Sequence, residues 1–157
     1  LFQTISGTTP GWLTLTDNGN GTATLSGTPL NTNVGDTSVV LIVTDGSLQD
    51  SQTFIITVAN TNDTPELVSI TAPDAVLEDG DNITITISPT DVDAGESLTV
   101  SVTANNNELF PGGSISVFPE SGSTGIFRTI TMDPENNQNG SSIITVNTGD
   151  GTETISQ

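Results

Sequence analysis

The chain has 157 residues, of which 32 % are hydrophobic and 4 % are aromatic, and 19 acidic residues against one basic residue give a formal net charge of −18. This charge repels nucleic acid and anionic lipid headgroups, so cations are the expected partners. His, Lys and Cys are absent, which excludes serine triads, lysine nucleophiles and thiol chemistry built from this chain alone.

No apolar run approaches the ~20 residues that cross a bilayer, so we expect no membrane insertion in this segment. Residues 1–11 lack the basic start of a signal peptide, so an export signal is expected outside this chain. The single basic residue, Arg128, is expected to pair with a carboxylate or to cover apolar surface with its stem.

Apolar residues alternate with Thr and Ser along the first part of the chain, and alternation with a period of two predicts strands. Turn signals such as the Asn-Gly pairs at 18–21 and the Asp-Gly pair at 45–46 separate them. We assign residues 1–63 to a first sandwich domain with strands C to G. The five predicted strands are 1–6, 12–16, 22–27, 38–44 and 52–59.

The second part of the chain repeats the pattern and is assigned to a second domain, residues 64–157. The predicted strands A to F are 66–73, 82–88, 97–103, 114–118, 126–132 and 141–147. Asp45 and Asp150 both begin a D-G-x-x-x-x-S-Q segment and stand 105 residues apart, close to the ~100 residues of an immunoglobulin-like unit. The sequence therefore predicts an all-β protein of tandem Greek-key sandwiches. The first would lack strands A and B, and the second would lack strand G, as in a fragment or in a unit completed by neighbouring chains.

The acidic side chains converge by topology. Strands of a sandwich alternate in direction, so loops B–C and F–G of the second domain share one end with the linker that enters its strand A. The E–F loop of the first domain is expected to face the same space. The candidate ligands gathered in this way are Asp36, Asn60, Asn62, Asp63, Asp91, Asp93 and Asp150.

Calcium is the ion that this set of side chains favours. It takes ~6–8 oxygen ligands from carboxylates, amides, carbonyls and water in irregular geometry. An ion held at the joint would fix the angle between the domains, and Pro65 would stiffen the exit into strand A.

Three motifs carry a family resemblance. NTNDTP at 60–65 resembles the cadherin linker D-x-N-D-N-x-P, DVD at 91–93 resembles the cadherin D-x-D, and VNTGDG at 146–151 resembles the A-x-D-x-G that ends a cadherin strand F. The stretch from PGWLTL at 10–15 to the Asp-Gly pair at 45–46 is more similar to the bacterial cadherin-like and dystroglycan-type repeats of large secreted adhesins and polysaccharide-degrading enzymes. This resemblance implies calcium between consecutive domains and a role in adhesion or spacing. Asn60 in place of the first linker Asp, and the lack of a D-R-E-like sequence in the first domain, depart from the cadherin pattern.

The leading functional hypothesis is a non-catalytic, extracellular repeat of a secreted, bacterial surface protein, in which calcium rigidifies a long stalk. Its partners would be neighbouring repeats or copies, with cell-surface or polysaccharide ligands. A carbohydrate-binding accessory module is an alternative that needs exposed aromatic platforms, and the chain has one Trp, no Tyr and five Phe. A second alternative is a filament subunit that assembles by strand sharing.

Overall fold

The computed structural model describes residues 4–67, 70, 73–77 and 79–157. The chain forms two compact units, Leu1–Thr61 and Asn62–Gln157, called unit 1 and unit 2 below. The boundary predicted from the sequence, between Asp63 and Thr64, lies two residues later. The earlier boundary assigns Asn62 and Asp63 to unit 2, together with the carboxylates of that unit.

Unit 1 contains two antiparallel sheets, one in the order β1-β4-β5 and one formed by the hairpin β2-β3. Leu13 and Val39 are buried, and Trp12 is half-buried beside Leu13. The part of the predicted strand 1–6 that precedes Thr4 lies outside the described residues. The elements of unit 1 are β1 (Thr4–Thr8), β2 (Leu13–Asp17), β3 (Ala23–Gly27), a 3-10 turn (Asn31–Asn33), β4 (Gly35–Thr44) and β5 (Gln49–Val58).

Unit 2 has a three-stranded sheet in the order β10-β12-β7, a four-stranded sheet in the order β11-β9-β13-β14, and the short pair β6-β8. All neighbouring strands are antiparallel. The strands are β6 (Glu66–Leu67), β7 (Ile83–Ile87), β8 (Pro89–Thr90), β9 (Ser97–Ala104), β10 (Ile115–Phe118), β11 (Ser121–Ser123), β12 (Arg128–Met132), β13 (Ile144–Gly149) and β14 (Thr154–Ser156).

The core of unit 2 lies between its two larger sheets. Ile87 and Ile130 come from one sheet, Val100 and Val146 come from the other, and Phe110 adds an aromatic ring from the loop between β9 and β10. Alternate residues of each strand face this layer, as the period-two pattern predicts. The predicted fold class, all-β with antiparallel sheets in both units, is confirmed. The described residues contain no helix with the length and hydropathy needed to span a bilayer.

Three details of the second domain differ from the sequence prediction. Thr154–Ser156 pair with β13 in the position of strand G, which the prediction placed beyond Gln157. β11 joins β9 although Ser121–Ser123 shows no apolar alternation, because backbone pairing does not require it. Of the predicted strand A, only Glu66–Leu67 form a described strand, and residues 68, 69, 71 and 72 lie outside the described part.

Arg128 does not pair with a carboxylate of the described residues, which is one of the two roles expected for it. Its side chain is fully buried and donates hydrogen bonds to the backbone carbonyls of Leu98, Gly122 and Ile126. Leu98 and Gly122 belong to β9 and β11, so the guanidinium links β12 to the opposite sheet. Burial lowers the pKa of Arg128 from its ordinary value.

Thr148 offers a direct test of packing in unit 2. It is fully buried on β13, and its hydroxyl has no hydrogen-bond partner among the described residues. The repeat aligns it with Val43 of unit 1. Because an unpaired buried hydroxyl is costly and Val has nearly the same shape, we expect Thr148→Val to stabilise unit 2 by ~1 kcal/mol. Urea unfolding would measure this. Destabilisation by the substitution would show that the hydroxyl has a partner in the folded protein.

Candidate metal site

The candidate site is built from loops at one end of unit 2. One loop joins β8 to β9 and carries Asp91, Asp93 and Glu96, and the hairpin between β13 and β14 carries Asp150. These loops lie far apart in sequence, but β9 and β13 are hydrogen-bonded neighbours in the same sheet. Their adjacent ends therefore bring the two loops together.

Asp150 has a structural role in its turn. Its Oδ1 accepts hydrogen bonds from the backbone N–H groups of Thr152 (2.6 Å) and Glu153 (2.7 Å). These bonds, first that from Glu153 and then that from Thr152, lower the pKa of Asp150, so the group is ionised at neutral pH. Asp45 of unit 1 holds the equivalent turn in the same way.

Asp91 and Asp93 are ordered by backbone contacts. The Asp93 N–H donates to Asp91 Oδ1 at 2.8 Å, which closes a local turn. Thr124, between β11 and β12, accepts from the Asp91 N–H at 2.8 Å and donates to its carbonyl at 3.3 Å. Gly95 has φ +86°, a conformation that favours glycine and returns the chain toward β9.

Glu96 completes the cluster. One carboxylate oxygen each from Asp91, Glu96 and Asp150 lies within 4.8 Å of the other two. Burial first, and then the carboxylates of Asp150, Asp91 and Asp93, raise the pKa of Glu96 above its ordinary value. The fold therefore holds an acidic group where neighbouring negative charges oppose its ionisation.

Three buried carboxylate oxygens of this loop have no hydrogen-bond partner among the described residues. They are Asp91 Oδ2, Asp93 Oδ1 and Glu96 Oε2. Asp93 is the most buried of the three residues, with 2 % of its surface exposed. Buried polar atoms are normally paired, and an unpaired carboxylate oxygen is especially costly. An all-oxygen set of this kind has the chemistry that calcium prefers.

The linker residues of unit 2 contact this cluster. Asn62 donates its side-chain amide to Asp150 Oδ2 at 3.1 Å, and the Asp63 backbone N–H donates to Asp93 Oδ2 at 2.7 Å. Thr64 donates its hydroxyl to Glu153 on the β13–β14 hairpin. The first residues of unit 2 are thus hydrogen-bonded to both acidic loops, and Asp63 takes part through its backbone.

The two remaining predicted ligands belong to unit 1. Asp36 lies in β4 and is exposed, and its Oδ1 accepts a hydrogen bond from Thr57 at 2.6 Å. Asn60 is exposed after the end of β5. Their participation in a site shared with unit 2 stays a prediction.

Sequence reasoning missed Glu96, although a signal was available. Glu96 is the last residue before β9, in the same loop as Asp91 and Asp93, and the intervening Gly95 permits the return of the chain. That the Glu96 side chain reaches the other carboxylates is a property of the tertiary packing.

The comparison with protein families agrees with the observed architecture of unit 1. Residues 2–59 match the family described as "Putative Ig domain". No curated protein gives a significant match.

Solved structures that align with the chain include the following three. Endo-fucoidan hydrolase MfFcnA4 of glycoside hydrolase family 107 is 25 % identical, with 99 % of this chain and 22 % of that chain covered and a TM-score of 0.38. Domains 4 and 5 of the S-layer protein SbsC are 18 % identical, with 98 % and 67 % covered and a TM-score of 0.42. A chimeric titin Z1Z2 is 15 % identical, with 99 % and 78 % covered and a TM-score of 0.42.

The chain spans only 22 % of the length of the fucoidan hydrolase with which it aligns. From its strand order and the family match of its first unit, the chain is a tandem of immunoglobulin-like β-sandwich units.

Proposed function

We propose that this chain is a non-catalytic segment of an extracellular structural or adhesion protein, and that unit 2 binds calcium at its acidic loops. The ligands are Asp91, Asp93, Glu96 and Asp150. The observation that carries the proposal is the convergence of one oxygen each from Asp91, Glu96 and Asp150 within 4.8 Å of one another, in a loop where Asp93 Oδ1 is also buried without a partner among the described residues. Bound calcium would supply positive charge and replace the missing partners of these oxygens.

The linker gives this site its mechanical role. Asn62, Asp63 and Thr64 directly follow unit 1 in sequence, and all three donate hydrogen bonds to the acidic loops or the adjacent hairpin. An ion that holds these loops in place also holds the start of unit 2. Without the ion, repulsion among the carboxylates favours loosening of the loops and of the linker bound to them. Calcium would therefore stiffen the chain at the start of unit 2 and help a neighbouring repeat to keep its orientation.

The composition supports the non-catalytic and extracellular parts of the proposal. The chain has no His, Lys or Cys, so acid–base and nucleophilic chemistry would depend on carboxylates and hydroxyls. The grouped carboxylates occupy the loops at the end of a sandwich that also holds the linker. Calcium-binding modules outside the cell have Kd values of ~0.1–1 mM, so a site of modest affinity is sufficient there.

Calcium binding can be measured directly by NMR titration of the 157-residue chain. We expect the amide signals of Asn62, Asp93 and Glu96 to shift with a single Kd of ~0.1–1 mM, as in other extracellular modules. The double variant Asp91→Asn/Asp93→Asn should weaken binding at least tenfold, because it removes two negative ligands.

Asp45→Asn is the matched control. It changes an aspartate with the same turn contacts as Asp150, in the equivalent hairpin of unit 1. The calcium affinity of unit 2 should not change in this variant. Equal weakening by both variants, or no chemical-shift change with calcium, would contradict the proposed site.

Carbohydrate binding is a second candidate, favoured by two exposed aromatic rings in unit 2. Phe118, at the end of β10, is 80 % exposed, and Phe127, just before β12, is 69 % exposed. The outward residues of β7, Thr84 and Thr86, are exposed hydroxyls on the same sheet. Binding to immobilised neutral glycans that persists in chelator would favour this candidate over the calcium-dependent stalk.

A further inference from the structure

The chain contains three Asn-Gly pairs, Asn18–Gly19, Asn20–Gly21 and Asn139–Gly140. Such a pair can modify itself, because glycine has no side chain to shield its backbone nitrogen from the preceding asparagine. The nitrogen attacks the side-chain carbonyl carbon only when the asparagine side chain can rotate toward it. The three pairs are alike in sequence, so the contacts of each pair in the folded chain decide which one reacts.

The first pair lies in the turn between β2 and β3, where hydrogen bonds hold both reacting groups. Asn18 donates its side-chain amide to the hydroxyls of Thr22 (3.0 Å) and Thr24 (3.3 Å). The Gly19 N–H donates to Asp17 Oδ1 at 2.9 Å. Because an N–H bonded to a carboxylate is harder to deprotonate, the Gly19 nitrogen is a poor nucleophile.

Asn20, in the same turn, is held in a different way. Its Oδ1 accepts hydrogen bonds from the N–H (3.1 Å) and the hydroxyl (2.6 Å) of Thr22. These bonds fix the side chain in an Asx turn, and the rotation that brings its Cγ onto the nitrogen of Gly21 breaks them. The folded turn therefore opposes reaction at both of its Asn-Gly pairs.

The third pair lies in the loop between β12 and β13, and both Asn139 and Gly140 are exposed. Neither the Asn139 side chain nor the Gly140 N–H makes a hydrogen bond with any other described residue. Gly140 has φ +133°, a conformation that favours glycine. Apart from its chain neighbours, an added Cβ there would meet one described atom, Asn106 Nδ2 at 4.0 Å. The reacting groups of this pair are thus unheld and open to solvent.

We propose that Asn139–Gly140 is a self-modification site, at which asparagine is converted to aspartate and isoaspartate. The Gly140 nitrogen bonds to Asn139 Cγ, the Cγ–Nδ2 bond breaks, and ammonia leaves with the proton of the Gly140 amide. Water then opens the resulting cyclic imide. Cleavage of the new N–Cγ bond gives aspartate, and cleavage of the original peptide bond gives isoaspartate. The net reaction consumes water and releases ammonia.

The segment that follows the pair limits what the modification changes. Asn105 Oδ1 accepts hydrogen bonds from the Ser142 hydroxyl (3.2 Å) and the Ile143 N–H (2.8 Å). The Asn106 side-chain amide donates to the Ser141 carbonyl at 3.2 Å. The new negative charge, and the longer main chain of isoaspartate, are therefore confined to the loop before these anchored residues, and unit 2 keeps its fold.

This inference goes beyond the calcium proposal and does not rest on it. The loop of Asn139 leads into the first residue of β13, whereas the hairpin that carries Asp150 follows the last residue of this strand. The test is run in chelator, so its result does not depend on calcium binding.

The test incubates the 157-residue chain in mildly alkaline buffer, once folded and once unfolded in guanidinium chloride. Digestion with trypsin follows, and mass spectrometry measures the replacement of each side-chain amide by a carboxylate. Arg128 is the only basic residue, so cleavage after it separates Asn139 from the other two pairs. In denaturant the three pairs should react at similar rates. In the folded chain Asn139 should keep its rate within ~3-fold, while Asn18 and Asn20 slow at least ~10-fold, the factor expected when one or two hydrogen bonds must first break.

Two variants serve as controls. Thr22→Val removes a hydroxyl that contacts both Asn18 and Asn20, so both should react faster in the folded chain, with no change at Asn139. Asn139→Gln has a longer side chain that closes the ring slowly, and should remove the product from the fragment 129–157. If folding slows Asn139 as strongly as Asn18, or if all three pairs react equally in the folded chain, the proposal is overturned.

Discussion

Glu96→Gln should raise the melting temperature of unit 2 in chelator and lower it in calcium. In the metal-free protein the ionised Glu96 is opposed by burial and by the carboxylates of Asp150, Asp91 and Asp93. Gln removes the charge while keeping the shape of the side chain. With calcium bound, the same charge becomes favourable, so its loss weakens binding.

The direction of the pKa shift sets the pH dependence of the metal-free protein. Because the pKa of Glu96 is raised on folding, the folded state holds this proton more tightly than the unfolded state. The resulting stability is fully present below the ordinary pKa of 4.5 and is lost as the pH rises through the higher pKa of the folded protein. In chelator, the free energy of unfolding of Glu96→Gln should therefore depend less on pH in this interval than that of the wild type.

The calcium effect should be large. Calcium at ~100 times its Kd stabilises the folded state by ~2.7 kcal/mol. For a domain of ~100 residues this corresponds to a rise of roughly 10–20 °C. A tenfold loss of affinity in Glu96→Gln would remove ~1.4 kcal/mol of that gain, or several degrees.

Calorimetry and circular dichroism in chelator and in about 10 mM calcium would measure these shifts. This concentration is ~10 to 100 times the expected Kd, so the full gain applies if the Kd is ~0.1 mM. The only Trp, Trp12, lies in unit 1, so its fluorescence follows that unit separately. A calcium shift confined to unit 2 would indicate a site complete within that unit, and a matching shift of Trp12 fluorescence would indicate that the ion couples both units. The same sign of change for Glu96→Gln in both buffers would contradict a ligand role for Glu96.

Substitution of Arg128 should have the largest effect on the metal-free fold. Its guanidinium is fully buried and donates to carbonyls of β9, β11 and the segment before β12. Arg128→Ala removes these bonds and leaves a void. We expect a loss of ~3–5 kcal/mol, from unpaired buried acceptors together with a cavity.

Two conservative variants separate packing from hydrogen bonding. Arg128→Met fills much of the volume but leaves the carbonyls of Leu98, Gly122 and Ile126 without their donor, so it should still cost ~2–4 kcal/mol. Arg128→Lys keeps the charge but cannot reproduce the planar set of donors, so we expect only partial recovery. Thr129→Ser, on the same strand and half-exposed, is the control and should change stability by less than ~0.5 kcal/mol.

Urea unfolding followed by circular dichroism is the suitable assay for Arg128, because guanidinium chloride would also screen the repulsion among carboxylates. If Arg128→Met matched the wild type within ~0.5 kcal/mol, the three hydrogen bonds would contribute nothing net, and the residue would act by filling space alone.

The strands of this protein could be predicted from local sequence because their signal is local. In β7 Ile alternates with Thr, and in β12 Thr alternates with Arg128, Ile130 and Met132, which places Ile85 and Ile130 on the inward face of one sheet. The repeat adds a signal between distant residues, because the spacing of Asp45 and Asp150 predicts two equivalent hairpins. It also predicted that the loops carrying Asp91, Asp93 and Asp150 share one end of the sandwich.

The tertiary structure alone decided which side chains meet, because that depends on contacts between residues far apart in sequence. Ser121–Ser123 pair with β9 through backbone groups that every sequence possesses. Glu96 joins the cluster because the end of β9 lies beside the β13–β14 hairpin. Because it is charged, Arg128 is expected at the surface. It lies in the interior instead, where three carbonyls from separate segments accept hydrogen bonds from its guanidinium.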